Sequence, residues 1–136
     1  MSNKVIGKSI NRFDAIAKVT GKAKYTDDFF ERDMLVGKVL ISPYAHAKVL
    51  NINIEEAEKI EGVEAIISYK DLPKHKFATA GHPWSLDPSH RDIEDRNILT
   101  DKARFYGDAI VAVIATDEII AQRAIDLIKV EYEVLD

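Results

Sequence analysis

The sequence predicts an α+β fold in which a few helices pack on a mixed sheet. An uninterrupted apolar run, AIVAVIA, spans residues 109–115 and is typical of a strand that is buried on both faces. The segment EIIAQRAIDLIK follows with helical spacing of its apolar residues, and KVEYEV then alternates apolar with charged residues. Because 136 residues is the length of one compact domain, we expect residues 1–136 to form a single domain.

The first thirty residues show little apolar periodicity, and we expect an extended arm without a helix there. The first strand candidate is MLVGKVLI at residues 34–41. A short connection, SPYAHA, leads to VLNINI, in which Leu50, Ile52 and Ile54 alternate with asparagines. This alternation predicts a second strand.

Two helices are predicted after these strands. The first is short and lies near residues 55–61, where acidic residues fill its first turn and Gly62 ends it. The strand VEAIIS follows directly. The second helix lies near residues 117–128, and Thr116 and Asp117 are both candidate N-caps. Its predicted buried stripe consists of Ile120, Ala124, Leu127 and Ile128.

A long polar loop over residues 75–97 raises the question of a metal site. Histidine and carboxylate ligands can bind zinc or iron where they converge. The candidate ligands in the loop are His75, His82 and His90 together with Asp87 and Asp92. Their spacing is irregular, so we favour solvated side chains and assign no metal ligand. Trp84, in the same loop, is a candidate anchor either for a partner or for its own domain.

His46 lies between the first two strands, close to Ser42. A histidine can act as a general base on a nearby serine nucleophile. However, no glycine-rich elbow flanks Ser42, and no acid lies nearby in the sequence to orient the ring. We therefore interpret His46 as a residue that fastens the turn through hydrogen bonds to backbone, and we assign no catalytic residue.

Composition excludes several classes of function. The absence of cysteine excludes disulfides, thiolate zinc sites and cysteine-held iron–sulfur clusters. No glycine-rich phosphate loop occurs, and a net charge of -4 without a basic cluster argues against nucleic acid. The polar N-terminal segment does not resemble a signal peptide, and no apolar run has the length of a membrane span. We expect a cytoplasmic protein.

Short motifs, each occurring once, follow one another along nearly the whole chain. The resemblance that they carry is weakest over residues 75–97. Together they resemble the xanthine dehydrogenase and aldehyde oxidase family of molybdenum hydroxylases, at the N-terminal α/β hammerhead domain of the molybdopterin-binding large subunit. The motifs are Gly7-Lys8-Ser9, Arg12-Phe13-Asp14-Ala15, Lys18-Val19-Thr20-Gly21-Lys22-Ala23, Tyr25-Thr26-Asp27-Asp28, Ser42-Pro43, Ala45-His46-Ala47, Gly62-Val63, Asp71-Leu72-Pro73, Arg104-Phe105-Tyr106-Gly107-Asp108, Val113-Ile114-Ala115 and Val130-Glu131-Tyr132-Glu133. The sequence departs from many relatives at Ile41 and Ala109.

The resemblance implies an enzyme that hydroxylates aldehydes or N-heterocycles such as purines. Its molybdenum–molybdopterin, iron–sulfur clusters and FAD would be held outside this chain, which we expect to bind no cofactor. The matching motif residues are expected to have structural roles: Gly21, Tyr25, Asp28, Ser42, Pro43, His46, Gly107 and Tyr132. Gly21 and Gly107 would allow backbone conformations that other residues disfavour, and Asp28 would accept hydrogen bonds from turn amides.

The resemblance also implies that the chain is a fragment or split subunit of a larger enzyme. Its partners would be the remaining domains of the subunit and the iron–sulfur and flavin domains or subunits. We expect docking through the arm at 7–30 and the loop at 75–97, because they carry aromatic residues outside regular structure. The alternative is a free-standing, non-catalytic binding protein that uses the histidine-bearing loop as its site.

Overall fold

The structure is a computed structural model that describes residues 6–78, 86–90 and 92–136. The chain divides into two compact units, Met1–Met34 and Leu35–Asp136. No residue between 6 and 34 is buried, whereas the second unit contains a hydrophobic core. In the described parts of the chain, every helix is too short or too polar to cross a lipid bilayer.

The first unit contains a short helix, α1 (Ala15–Val19), and a 3-10 turn at Thr26–Asp28. The prediction of an arm without a helix is therefore wrong. Polar contacts stabilise α1 locally: the Asp14 carboxylate lies 2.8 Å from both the Arg12 guanidinium and the Lys18 ammonium. These cations, Arg12 first, lower the pKa of Asp14. A helix this short has too few turns to show apolar periodicity, which is why the sequence pattern missed it.

The described residues of the second unit form six strands, and three of them match the predicted segments VEAIIS, AIVAVIA and KVEYEV residue for residue. The strands are β1 (Val36–Ile41), β2 (Ala47–Asn53), β3 (Val63–Ser68), β4 (Lys102–Ala103), β5 (Ala109–Ala115) and β6 (Lys129–Val134).

The strands form two three-stranded sheets, with the orders β1-β5-β3 and β4-β2-β6. All pairings between these strands are antiparallel. The α+β class is confirmed, but the prediction of a mixed sheet is wrong. Periodicity identifies which face of a strand is buried but not the direction of its neighbour. The SPYAHA connection accordingly carries the chain from the first sheet into the second rather than closing a hairpin.

Two helices accompany the sheets, α2 (Glu55–Glu58) and α3 (Glu118–Leu127). Asp117 caps α3, because its carboxylate accepts a hydrogen bond of 2.8 Å from the Ile120 amide. The buried residues of α3 are alanines 121 and 124, and Ile128 is buried just after the helix. Leu127 is 45% exposed, so its predicted place in the buried stripe is wrong. The small alanine side chains, which allow close packing on the sheet, define the true contact face.

Strand β2 contains an irregularity that sequence periodicity did not reveal. Its pairing with β6 shifts register between Val49 and Asn51. The shift interrupts the two-residue alternation, so Val49 is buried and Leu50 is 60% exposed, while Ile52 packs against the core. Leu50 therefore does not share the packed face with Ile52, although the sequence alternates both with asparagines.

The core of the second unit centres on β5, where Ile110, Val111 and Val113 are fully buried. Gly62 lies between α2 and β3 with φ +91°. A Cβ there would lie 2.7 Å from both Ile120 Cδ1 and Thr116 Oγ1. Glycine at this position thus permits both the left-handed backbone and the close approach of α3.

Candidate functional site

Ser42 and Gly107 are distant in sequence but adjacent in the structure. The Ser42 amide donates to the Asp108 carbonyl at 2.8 Å, and the Gly107 amide donates to the Ser42 carbonyl at 2.9 Å. Gly107 has φ +93°, which is the left-handed conformation expected for it. Ser42 is fully buried, and its hydroxyl donates to the Tyr44 carbonyl at 2.9 Å and accepts from the Tyr44 amide at 3.1 Å. The serine hydroxyl therefore fixes the turn that contains Pro43.

Asp108 is a nearly buried carboxylate with two partners. Arg96 donates to its Oδ1 at 3.1 Å through Nη2, and the Arg104 amide donates to its Oδ2 at 3.1 Å. The Arg96 guanidinium also lies 4.5 Å from the centroid of the Phe105 ring. Sequence reasoning included Asp108 in a motif but missed Arg96, because nothing in the loop pattern distinguishes it from other charged residues.

His46 contacts the last residues of the chain. Its Nδ1 lies 2.7 Å from the Asp136 carbonyl oxygen, and its own carbonyl accepts from the Leu135 amide at 3.0 Å. The ring thus bonds to backbone, while both hydrogen bonds of the Ser42 hydroxyl go to Tyr44. This arrangement does not form the serine–histidine pair that general-base catalysis requires.

Tyr44 and Tyr132 form an edge-to-face pair, with ring centroids 5.2 Å apart and an interplanar angle of 67°. Burial of the Tyr132 hydroxyl, and secondarily the nearby Tyr44, raise the pKa of Tyr132. The pair connects the SPYAHA turn to β6, so it supports the same end of the second unit as His46.

The first unit contains the remaining motif residues. The Asp28 carboxylate accepts from the Tyr25 amide at 2.8 Å, as expected for a turn residue. Gly21 has φ +69° directly after α1. The Tyr25 side chain is 59% exposed. These residues shape the local backbone of their own unit.

The histidine-bearing loop does not converge on a metal site within the residues that the structure describes. No group of three or more histidine or carboxylate side chains comes together there. His90 Nδ1 lies 3.9 Å from Asp87 Oδ2, and Asp87 Oδ1 accepts from both the amide and the hydroxyl of Ser89, which lowers its pKa. His82 and Trp84 lie outside the described residues.

The first sheet has one face that is covered by α3. The Lys38 ammonium on β1 lies 2.9 Å from the Glu118 carboxylate and 3.1 Å from the Gln122 amide oxygen, both on α3. Because side chains alternate along a strand, Val39 and Ile41 lie on the opposite face. They are 47% and 50% exposed.

We call this opposite side of the sheet the outer face. Pairing across β1, β5 and β3 assigns six residues to it: Val39, Ile41, Ala65, Ile67, Ala112 and Ile114. All six are apolar, none is fully buried, and none belongs to the packed core. The prediction that β5 is buried on both faces is confirmed at the consecutive residues Ile110 and Val111, whereas Ala112 and Ile114 on the outer face are only partly buried. Ile41 and Ala109, the two departures from the family pattern, are paired with each other at this sheet.

Comparison with known proteins identifies the same family as the sequence motifs. Residues 20–136 match the family model described as aldehyde oxidase and xanthine dehydrogenase, a/b hammerhead domain. The chain belongs to this family. It is 48% identical over 124 residues to a xanthine dehydrogenase molybdenum-binding subunit of Escherichia coli O157:H7, a match that covers 91% of the chain and 16% of that protein. It is 36% identical over 134 residues to a nicotinate dehydrogenase large molybdopterin subunit of Eubacterium barkeri, covering 97% of the chain and 29% of the relative.

Solved structures support the same fold. The aldehyde oxidoreductase of Desulfovibrio desulfuricans superposes with a TM-score of 0.81 at 31% identity, over 97% of this chain and 15% of that one. A CO dehydrogenase of Oligotropha carboxidovorans gives a TM-score of 0.76 at 30% identity, over 95% and 15%. The hammerhead fold is therefore confirmed, and the chain spans about 15% of the length of these two structures.

Proposed function

We propose that this chain is the non-catalytic hammerhead domain of a xanthine dehydrogenase-like hydroxylase, and that it docks against the rest of the molybdopterin-binding subunit. The outer face of the first sheet is the observation that carries this proposal. A sheet face with six apolar and no polar side chains is typical of a buried interface. Covering a half-exposed valine or isoleucine contributes about 1 kcal/mol each, since full burial is worth about 1.5–3 kcal/mol.

The turns at one end of the second unit provide a rigid frame for this face. Ser42 and Gly107 connect β1 to β5 by backbone hydrogen bonds, and the Arg96–Asp108 ion pair fixes the loop beside them. A preorganised surface loses little conformational entropy on docking. The exposed Phe29 and Phe30, at 61% and 82%, are candidates for a second docking contact on the first unit.

The residues of this chain do not fit the cofactors of the intact enzyme. The chain has no cysteine thiolate to hold an iron–sulfur cluster and no glycine-rich loop to hold a phosphate of FAD or the pterin. We propose that molybdenum–molybdopterin, iron–sulfur clusters and FAD bind elsewhere in the enzyme, which would act on aldehydes or N-heterocycles such as purines. The lack of cysteine also suits a cytoplasmic, reducing compartment.

The test compares Val39→Lys with Ile119→Lys, in the 136-residue chain and in the complete subunit. Val39 lies on the outer face, whereas Ile119 is 74% exposed on α3 and serves as the control. Both variants should fold normally when they are made in the 136-residue chain. In the complete subunit, Val39→Lys alone should reduce the yield of assembled, molybdenum-loaded enzyme, because it would bury an unpaired ammonium. Normal assembly of Val39→Lys in the complete subunit would contradict docking through the outer face.

A further inference from the structure

A cleft of about 600 Å³ lies between the segment that follows β3 and the segment that precedes β4. Four of its lining residues supply apolar or aromatic surface: Tyr69, Leu72, Pro73 and Ile98. Ile98 is 61% exposed. None of the six outer-face residues lines the cleft, and its volume is in the range of sites that bind a ligand or an inserted side chain.

The charge of the cleft is opposite to that of the chain. Lys70, Lys74 and Lys76 line it together with one acid, Asp101, so its lysines and carboxylate sum to +2 in a chain of net charge -4. No ion pair among the described residues includes any of the three lysines. The Lys70 ammonium lies 5.8 Å from the centroid of the Tyr69 ring. The cleft therefore combines apolar walls with cations that form no salt bridge within the described chain, although Lys70 lies close enough to the Asp71 carboxylate to help lower its pKa.

Hydrogen bonds hold the two walls in place. Phe77 and Arg96 exchange backbone hydrogen bonds of 3.0 and 3.2 Å, which join the ends of the two segments. Arg96 is in turn paired with the nearly buried Asp108. At the other end, the Asp71 carboxylate accepts from the amide and hydroxyl of Ser68, both at 2.8 Å, and these bonds lower the pKa of Asp71. The cleft is thus preformed and tied to the core.

We propose that the cleft binds an acidic segment from the rest of the enzyme, with an apolar side chain inserted between the walls and carboxylates facing Lys70, Lys74 and Lys76. Charge complementarity selects this occupant. The inference rests on the proposed docking function but concerns a different surface and a different chemistry. Most of the length of the relatives lies outside the matched region, so the remainder of such an enzyme has ample chain to supply the segment.

The experiment uses the complete enzyme and a water-soluble carbodiimide, which joins amines only to carboxylates in direct contact. Mass spectrometry should find Lys70, Lys74 or Lys76 joined to aspartate or glutamate outside these 136 residues. Lys74→Glu should weaken the association of the acidic segment with the cleft about two- to five-fold, as expected for exposed ion pairs. It should also reduce the yield of lysine cross-links. Lys74→Arg should retain the association, and Lys129→Glu, outside the cleft, should leave it unchanged.

The outcomes separate this inference from the proposed function. If the enzyme assembles, and Val39→Lys disrupts it, but the three lysines cross-link only within this domain, the cleft proposal is wrong and the docking function stands. Equal rates of lysine acylation in the 136-residue chain and in the enzyme would overturn the cleft proposal in the same way. If Val39→Lys assembles normally while the lysine cross-links persist, the outer face is not the docking surface, and the cleft proposal stands.

Discussion

The two faces of the first sheet carry similar side chains but differ in what covers them. On the inner face, Val111, Val113 and Ala115 are fully buried beneath α3. On the outer face, the equally apolar Val39 and Ile41 are about half exposed. The difference shows that apolar composition alone does not reveal which face of the sheet the domain covers by itself. The uncovered face is the one that we propose docks against the rest of the enzyme.

A lysine placed on each face should give the largest contrast. In the 136-residue chain, Val113→Lys would bury an ammonium without a partner, which costs several kcal/mol and is comparable to a total stability of about 5–15 kcal/mol. Val39→Lys should change the free energy of unfolding by less than about 1 kcal/mol, because its side chain reaches solvent. Urea denaturation followed by circular dichroism measures both. Equal destabilisation would show that the outer face is already covered within this chain.

Two glycines extend the comparison to the backbone. Gly62→Ala should reduce stability by about 1–3 kcal/mol, because φ is +91° and the new Cβ would lie 2.7 Å from Ile120 and Thr116. Gly37 lies on the outer side of β1, and a Cβ there meets no atom within 4 Å. Gly37→Ala should therefore be neutral or slightly stabilising. The midpoints of urea unfolding test the pair, and a larger loss at Gly37 would contradict an open outer face.

Sequence pattern predicted those elements whose determinants are local or periodic. Strand β5 was found because seven consecutive apolar residues can hardly form a solvated loop, and α3 was found from its spacing and its Asp117 cap. The bulge at Val49–Asn51 was missed, because a shift of register leaves no mark on composition. The division into two sheets was missed as well, since it depends on partners that are distant in sequence.

The candidate sites show the same limit. Family motifs identified Ser42 and Gly107 as structural residues but could not show that they bond to each other. The outer face was not predicted, because its members come from three strands and are recognisable only once pairing is known. Arg96 and the lysine cleft depend on how the loop at 75–97 folds back, for which the sequence gives no periodic signal.

In the turn between β1 and β2, His46→Ala should have a smaller effect on stability than Val113→Lys or Gly62→Ala. Loss of the hydrogen bond to the Asp136 carbonyl should lower stability by about 1 kcal/mol. His75→Ala is the control, because His75 is exposed in the cleft. Differential scanning calorimetry measures both melting temperatures. An unchanged value for His46→Ala would reopen the general-base hypothesis for this residue.

The smallest effect is expected from Tyr132, on the second sheet, where the Tyr44 ring packs edge-to-face against it. Since burial raises the pKa of Tyr132, the folded chain favours the neutral phenol more than the unfolded chain does. This contribution to stability is fully present below the ordinary tyrosine pKa of about 10 and is lost as the pH rises through the raised pKa of the folded state.

Tyr132→Phe keeps the ring and removes the titrating group. Its free energy of unfolding should therefore fall less steeply above about pH 10 than that of the parent chain. Tyr25→Phe controls for loss of an exposed hydroxyl in the first unit. Parallel alkaline profiles for the parent chain and Tyr132→Phe would mean that the Tyr44–Tyr132 pair does not shield the hydroxyl in solution.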